Sequence, residues 1–157
     1  MDDFNRFERI VRAAHSHTDA SEPLSDGHPF GDRNIHDDLP AVVRELFDNG
    51  HYSQSTFEAL KFLDEEIQRI TGSSDFGKSL MMNVFNEKNP KLALNTLTST
   101  SEVNEQEGFK FIFAGTMTAI RNPRGHQAAV VDDPDTCLDH LGLTSMLLRR
   151  LDDAGLR

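Results

Sequence analysis

The sequence predicts an all-α fold from three observations: helical periodicity, sparse strand signals and regularly placed caps. Apolar residues recur at three- and four-residue spacing through most of the chain, the period of helices with one buried face. Period-two alternation is confined to one short stretch. Asp, Asn or Ser precede the periodic runs and Gly follows several of them, as helix starts and stops do. Five or six amphipathic helices make an antiparallel helical bundle. A chain of 157 residues suits one such core, burying roughly 70% of its unfolded surface. Hydrophobic residues at 37% and charged residues at 27% fit a globular protein, and no apolar run approaches the ~20 residues of a membrane span.

The elements follow in order. Residues 2–14 place Phe4, Phe7, Val11 and Ala14 on one face, and Asp2 and Asp3 favour a helix start. Residues 15–36 hold Gly, Pro, Ser and Asp without period and read as a surface connection. The chain therefore divides into an N-terminal helix with a polar connection, 1–36, and a bundle domain, 37–157. Asp37 or Asp38 caps the next helix, with Pro40 in its first turn; Leu39, Val42, Val43, Leu46 and Phe47 form its stripe and Gly50 its stop. A helix over 52–70 carries Thr56, Ala59, Leu60, Leu63, Ile67 and Ile70 on one side. Glu58, Lys61, Asp64 and Glu65 lie on the other, and Gly72 closes it. Ser74 or Asp75 starts a short helix with Leu80, Met81, Val84 and Phe85 inward. The pattern lapses after Asn86, where alternation of Leu92, Leu94 and Leu97 admits a short strand or hairpin near 90–100. Asn104 caps a helix through 121, and a last helix starts near Asp133 with Pro134 in its first turn. Its apolar face is Leu138, Leu141, Ser145, Leu148 and Leu151, and Arg149 and Arg150 suit the dipole at its end.

Charge narrows the function classes. A net charge of −10 argues against a broad, sequence-independent grip on nucleic acid, so any such contact must be local. The acidic amphipathic start lacks the order of a secretory signal, and the single cysteine, Cys137, supports no internal disulfide; both fit a cytoplasmic protein. His15, His17 and Asp19 sit in the polar connection, where fixed ligand geometry is not expected, so no metal and no cofactor is assigned.

Residues 109–131 contain no Asp or Glu, although the chain carries 26. Phe109, Ile112, Phe113, Met117 and Ile120 give this run an apolar helical face, and Arg121-Asn122-Pro123-Arg124-Gly125-His126 follows. Pro123 disfavours a helical Asn122, so the helix is expected to end or kink there, letting polar side chains converge. Arg121 offers a permanent planar cation suited to phosphate oxygens, and His126 a side chain that exchanges protons near neutrality. Such a pair can cleave RNA without a metal: imidazole activates the 2′-hydroxyl or protonates the leaving oxygen, and guanidinium stabilises charge on phosphorus. The bland alternative is an arginine that caps carbonyls or pairs with an acid and a histidine at the surface. Arg124 and Lys110 are candidate substrate contacts from the same run, and Glu58, with Ser53 and Ser55, a second tier; for these a solvated helix face is the competing reading.

The R-N-P-x-x-H element resembles the R-x4-6-H motif of the HEPN superfamily, a helical-bundle group rich in RNases of toxin, abortive-infection and CRISPR-associated systems. Leu46-Phe47-Asp48-Asn49-Gly50-His51-Tyr52 with Phe57-Glu58-Ala59, Leu80-Met81, Glu107-Gly108-Phe109 with Gly115, and Ser145-Met146-Leu147-Leu148 resemble one HEPN-like bacterial and phage family, the Ymh-type proteins. The likeness spans roughly residues 38–153. It implies catalytic roles for Arg121 and His126, with Asn122 hydrogen-bonding the scissile phosphate. It also implies a homodimer in which two motifs face each other over RNA, and a defence-system or antitoxin protein as a further partner. Ala128 stands where some antitoxin-regulated members carry a modifiable tyrosine, so that regulation is not expected. The resemblance equally admits a non-catalytic module that binds RNA, a nucleotide or a protein partner.

Overall fold

The computed structural model describes residues 27–126 and 130–157, with the backbone alone at 126. The chain forms two compact units, Met1–Arg33 and Asn34–Arg157. In the first, helix α1 (Pro29–Asp32) is a single turn whose start is fixed by His28, its Nδ1 accepting from the Phe30 amide at 3.1 Å. The helix expected over 2–14 and the His15, His17 and Asp19 group lie outside the described residues.

The second unit runs through α2 (Ala41–Asp48), α3 (Tyr52–Thr71), α4 (Gly77–Val84) and α5 (Thr100–Thr116). A π-helical turn (Met117–Arg121) leads into α6 (Asn122–His126), and α7 (Pro134–Asp153) closes the chain. Among the described residues there is no strand, and no helix is long and apolar enough to cross a membrane. The all-helical expectation holds. Helix α3 is central, packing against α2, α4, the π turn, α6 and α7. Its Leu60, Leu63 and Ile67 meet Leu80 and Met81 of α4, Phe113 and Met117, and Leu147, Leu148 and Leu151 of α7, all fully buried. Side chains of this size contribute roughly 1.5–3 kcal/mol each when taken from water. Phe85 stacks on Phe113 with ring centroids 4.4 Å apart.

Local chemistry moves several boundaries from their expected places. Helix α2 begins after Pro40, which takes the cap position itself; neither Asp37 nor Asp38 caps it. The predicted stripe is narrower than expected, with Val43 and Phe47 buried and Val42 exposed. Helix α3 ends as expected at Gly72, which adopts φ +63 in the left-handed region where a side chain is strained. Helix α4 starts at Gly77, two residues beyond Asp75, because the Gly77 amide is anchored by Asp64 rather than by a local cap.

Helix α5 is capped by Ser99, five residues ahead of Asn104. Ser99 accepts from the Glu102 amide while the Glu102 side chain accepts from the Ser99 amide, a reciprocal capping box. Hydroxyls of Thr98 and Thr96 also donate to Glu102, pulling its pKa down to about 2. No hairpin forms between 90 and 100. The buried Gln106 side chain supplies the backbone partners a second strand would have given. Its Oε1 accepts from Leu94 N at 2.8 Å, and its Nε2 donates to Leu92 O at 2.9 Å and Phe85 O at 3.1 Å. Helix α7 begins as expected, Asp133 accepting from Thr136 N at 2.9 Å ahead of Pro134.

Candidate functional site

The helix does not end at Asn122. Proline at 123 would remove an amide and crowd the preceding carbonyls of a regular helix. The chain instead widens into the π turn Met117–Arg121, with the Asn122 amide reaching back to Met117 O, and continues through α6. Asn122 keeps helical angles, φ −63 and ψ −44, despite the proline after it. The expected break is thus a local widening. The polar residues remain arrayed around a helix rather than gathered at a bend: positions 121 and 126 are offset by about 140° around the axis, whereas position 126 falls one turn beyond 122 on the same face.

Gly125 serves a purpose other than backbone freedom. A methyl group there would sit 2.8 Å from Phe57 Cε2, so glycine lets α6 close onto the Phe57 ring of α3. That ring underlies Arg121, whose guanidinium carbon lies 5.5 Å from its centroid. Arg121 is 20% exposed and loosely held: Nη2 is 4.0 Å from Asp64 Oδ2, and Nη1 donates to Asn122 Oδ1 at a long 3.4 Å. Its Nε is buried with no hydrogen-bond partner. Because its Nη contacts are long, the guanidinium can donate to an oxyanion without first giving up a strong pair.

Asp64 is the residue that sequence reading missed. Expected on the solvent side of α3, it is buried, and both its oxygens accept from Gly77 N, at 2.8 and 3.1 Å. Its position, four after Leu60 and three before Ile67, gives the signal that could have found it. Burial raises its pKa, opposed by the Gly77 amide and by Arg121.

Arg124 is held far more firmly. Its Nε donates to Asp132 Oδ2 at 2.6 Å, its Nη2 to Asp132 Oδ1 at 2.5 Å and its Nη1 to Ile120 O at 2.8 Å. This bidentate pair is nearly buried, at 9% and 5% side-chain exposure. Burial pushes the Asp132 pKa up, but the Arg124 hydrogen bond and charge outweigh it, and the net shift is downward. Ser53 completes the clasp between α3 and residues 130–132, donating to Val130 O at 2.9 Å and accepting from Asp132 N at 2.8 Å. Nearby, burial followed by Arg124 lowers the pKa of His140, whose Nδ1 is buried without a partner. Cys137 is a core thiol, raised in pKa first by burial.

Lys110 stands eleven residues before Arg121, roughly 16 Å along the helix. It is buried and paired with the partly exposed Glu87, Nζ to Oε2 at 2.5 Å. The structure therefore brings together Arg121, Asn122, Phe57 and Asp64, sets Arg124 beside them in a closed ion pair, and leaves Lys110 elsewhere. Glu58, paired to Lys61 at 3.2 Å, faces a cavity on the Phe57 side of the site. His126 closes α6. Among the described residues, no three His, Cys, Asp or Glu side chains are grouped to hold a metal ion.

The family described as "Protein of unknown function (Hypoth_ymh)" matches residues 33–151, and the chain belongs to it. No curated protein and no solved structure matches the chain.

Proposed function

We propose that this member of the Hypoth_ymh family is a HEPN-type endoribonuclease of the toxin or phage-defence kind, working without a metal at a site composed from two copies of the chain. One observation carries the reading: Arg121 sits on an aromatic ring beside Asn122 with a partnerless Nε and only long contacts to Asp64 and Asn122. In this role Arg121 takes the phosphate and stabilises charge on phosphorus, Asn122 hydrogen-bonds a non-bridging oxygen, and His126 moves the proton of the 2′-hydroxyl or the leaving oxygen. The angular offset of 121 and 126 favours an imidazole and a guanidinium drawn from different copies. Exposed apolar side chains on α5 support such pairing: Phe111 and Ile112 are 55% and 41% exposed, flanked by open Gly108 and Gly115.

The test is incubation of the purified protein with RNA in excess chelator, scoring products that end in a 2′,3′-cyclic phosphate. No cleavage, or cleavage by His126→Ala equal to wild type, would sink the reading. A second reading, a module that binds RNA, a nucleotide or a protein partner without cutting, draws support from Lys110 and Arg124, whose charges are already answered by Glu87 and Asp132. It predicts saturable RNA binding lost in Arg121→Ala, with no product at any time.

A further inference from the structure

Phe57 has a second role besides carrying Arg121. It forms part of the wall of a half-open cavity of about 320 Å³, bounded also by Val42 and Leu46 of α2 and by Gln54 and Glu58 of α3. Arg124 borders the same space, but its guanidinium is committed to Asp132 and Ile120. The cavity therefore offers no available positive charge. Glu58 gives one oxygen, Oε2, to Lys61, while Oε1 and the exposed Gln54 amide have no hydrogen-bond partner among the described residues. Such a lining disfavours an anion. It suits a flat, neutral ring that packs on apolar walls and presents N–H donors to a carboxylate.

We infer that this cavity receives a nucleobase, guanine in preference, from the strand whose phosphate lies at Arg121. The inference rests on the phosphate reading of Arg121 above and adds what the site would select. Single-stranded bases are recognised by stacking on aromatic rings and by hydrogen bonds along their Watson–Crick edges. Guanine N1–H and N2–H form adjacent donors that a carboxylate accepts as a pair. Adenine and cytosine bring one amino group to that edge, and uracil flanks its single N–H with carbonyl oxygens that a carboxylate repels. Phosphate and base would share Phe57, the Arg121 guanidinium carbon being 5.5 Å from its centroid, within the span of one nucleotide.

The test uses nucleosides, which lack phosphate, so that its outcome does not depend on cleavage. The full chain is titrated with guanosine, cytidine and uridine while the backbone amide resonances of residues 53–58 are followed by NMR. Guanosine is expected to shift them with a dissociation constant at least about tenfold below that of uridine. Glu58→Gln, checked for an unchanged melting temperature, should level that difference, and Phe57→Leu should weaken every nucleoside. Equal response to guanosine and uridine, no response up to the solubility limit of guanosine, or tighter binding of an arginine-bearing peptide would overturn the base site. RNA cleavage without preference for guanine beside the cut would remove the base site and keep the nuclease. Guanosine binding by a protein that cuts no RNA would keep the base site and remove the nuclease.

Discussion

Arg121 and Arg124 stand one turn apart, yet they hold their charges in opposite ways. Arg124 has a carboxylate on two nitrogens and a carbonyl on the third, all at 2.5–2.8 Å. Arg121 rests on a ring, with its carboxylate at 4.0 Å and one donor unmet. The first closes the chain upon itself and the second is left with valence for something else. Sequence proximity to a motif therefore says little about which cation is available; the position of the nearest acid decides it.

The largest effect expected from breaking this contrast is on stability. Asp132→Ala strands Arg124 in a nearly closed site, which should cost about 3–5 kcal/mol in urea unfolding. Arg121→Ala should behave differently, lowering RNA cleavage by about 10²–10³-fold while changing unfolding free energy by only about 1 kcal/mol. A parallel loss of stability would show that Arg121 is a structural residue like its neighbour. Gly125→Ala drives a methyl into Phe57 and should cost about 1–3 kcal/mol. Because the same ring carries Arg121, cleavage should fall in this variant as well, measured on protein shown to be folded by circular dichroism.

The smallest effect is in pH dependence, where the two acids differ in sign. Asp132 has a lowered folded pKa, so its contribution is present above the unfolded value of about 3.9 and is lost as pH falls through the folded pKa. Asp64 has a raised one, so its contribution is complete below about 3.9 and is lost as pH rises through the folded pKa. Melting temperatures against pH should lose the acid-side decline in Asp132→Asn and the rise toward acid in Asp64→Asn.

The helices were legible because burial and period are the same fact read twice: Leu60, Leu63 and Ile67 repeat at helical spacing and all are buried. Gly72 and the Asp133–Pro134 pair mark ends by backbone chemistry that acts locally. What eluded the sequence depends on distant partners. Gln106 replaces a strand by bonding residues 12 to 21 positions away, which no alternation in Leu92 and Leu94 reveals. The Ser99–Glu102 box, by contrast, is legible in the sequence as S-x-x-E, a more complete start signal than Asn104. At the site, Arg121, Asn122 and His126 stand out by residue type, whereas Asp64 and Phe57 matter through contacts made across the bundle. Arg124 looked like a free cation because Asp132, the first acid after the run, folds back on it.

The π turn bears on how this segment tolerates change. Relative to a regular helix it is a one-residue insertion, and the wider turn takes up the extra residue so that α6 keeps the phase of a regular helix one residue shorter. Deleting Thr118, an exposed residue within it, would let the screw close to a regular helix while everything downstream keeps its face. The core stripe through Phe113 and the aromatic seat of the arginine would both be kept, whereas the same deletion in a helix without the turn would rotate the arginine by about 100°. The rod thus holds one residue in reserve, which it can lose without disturbing either the core or the arginine.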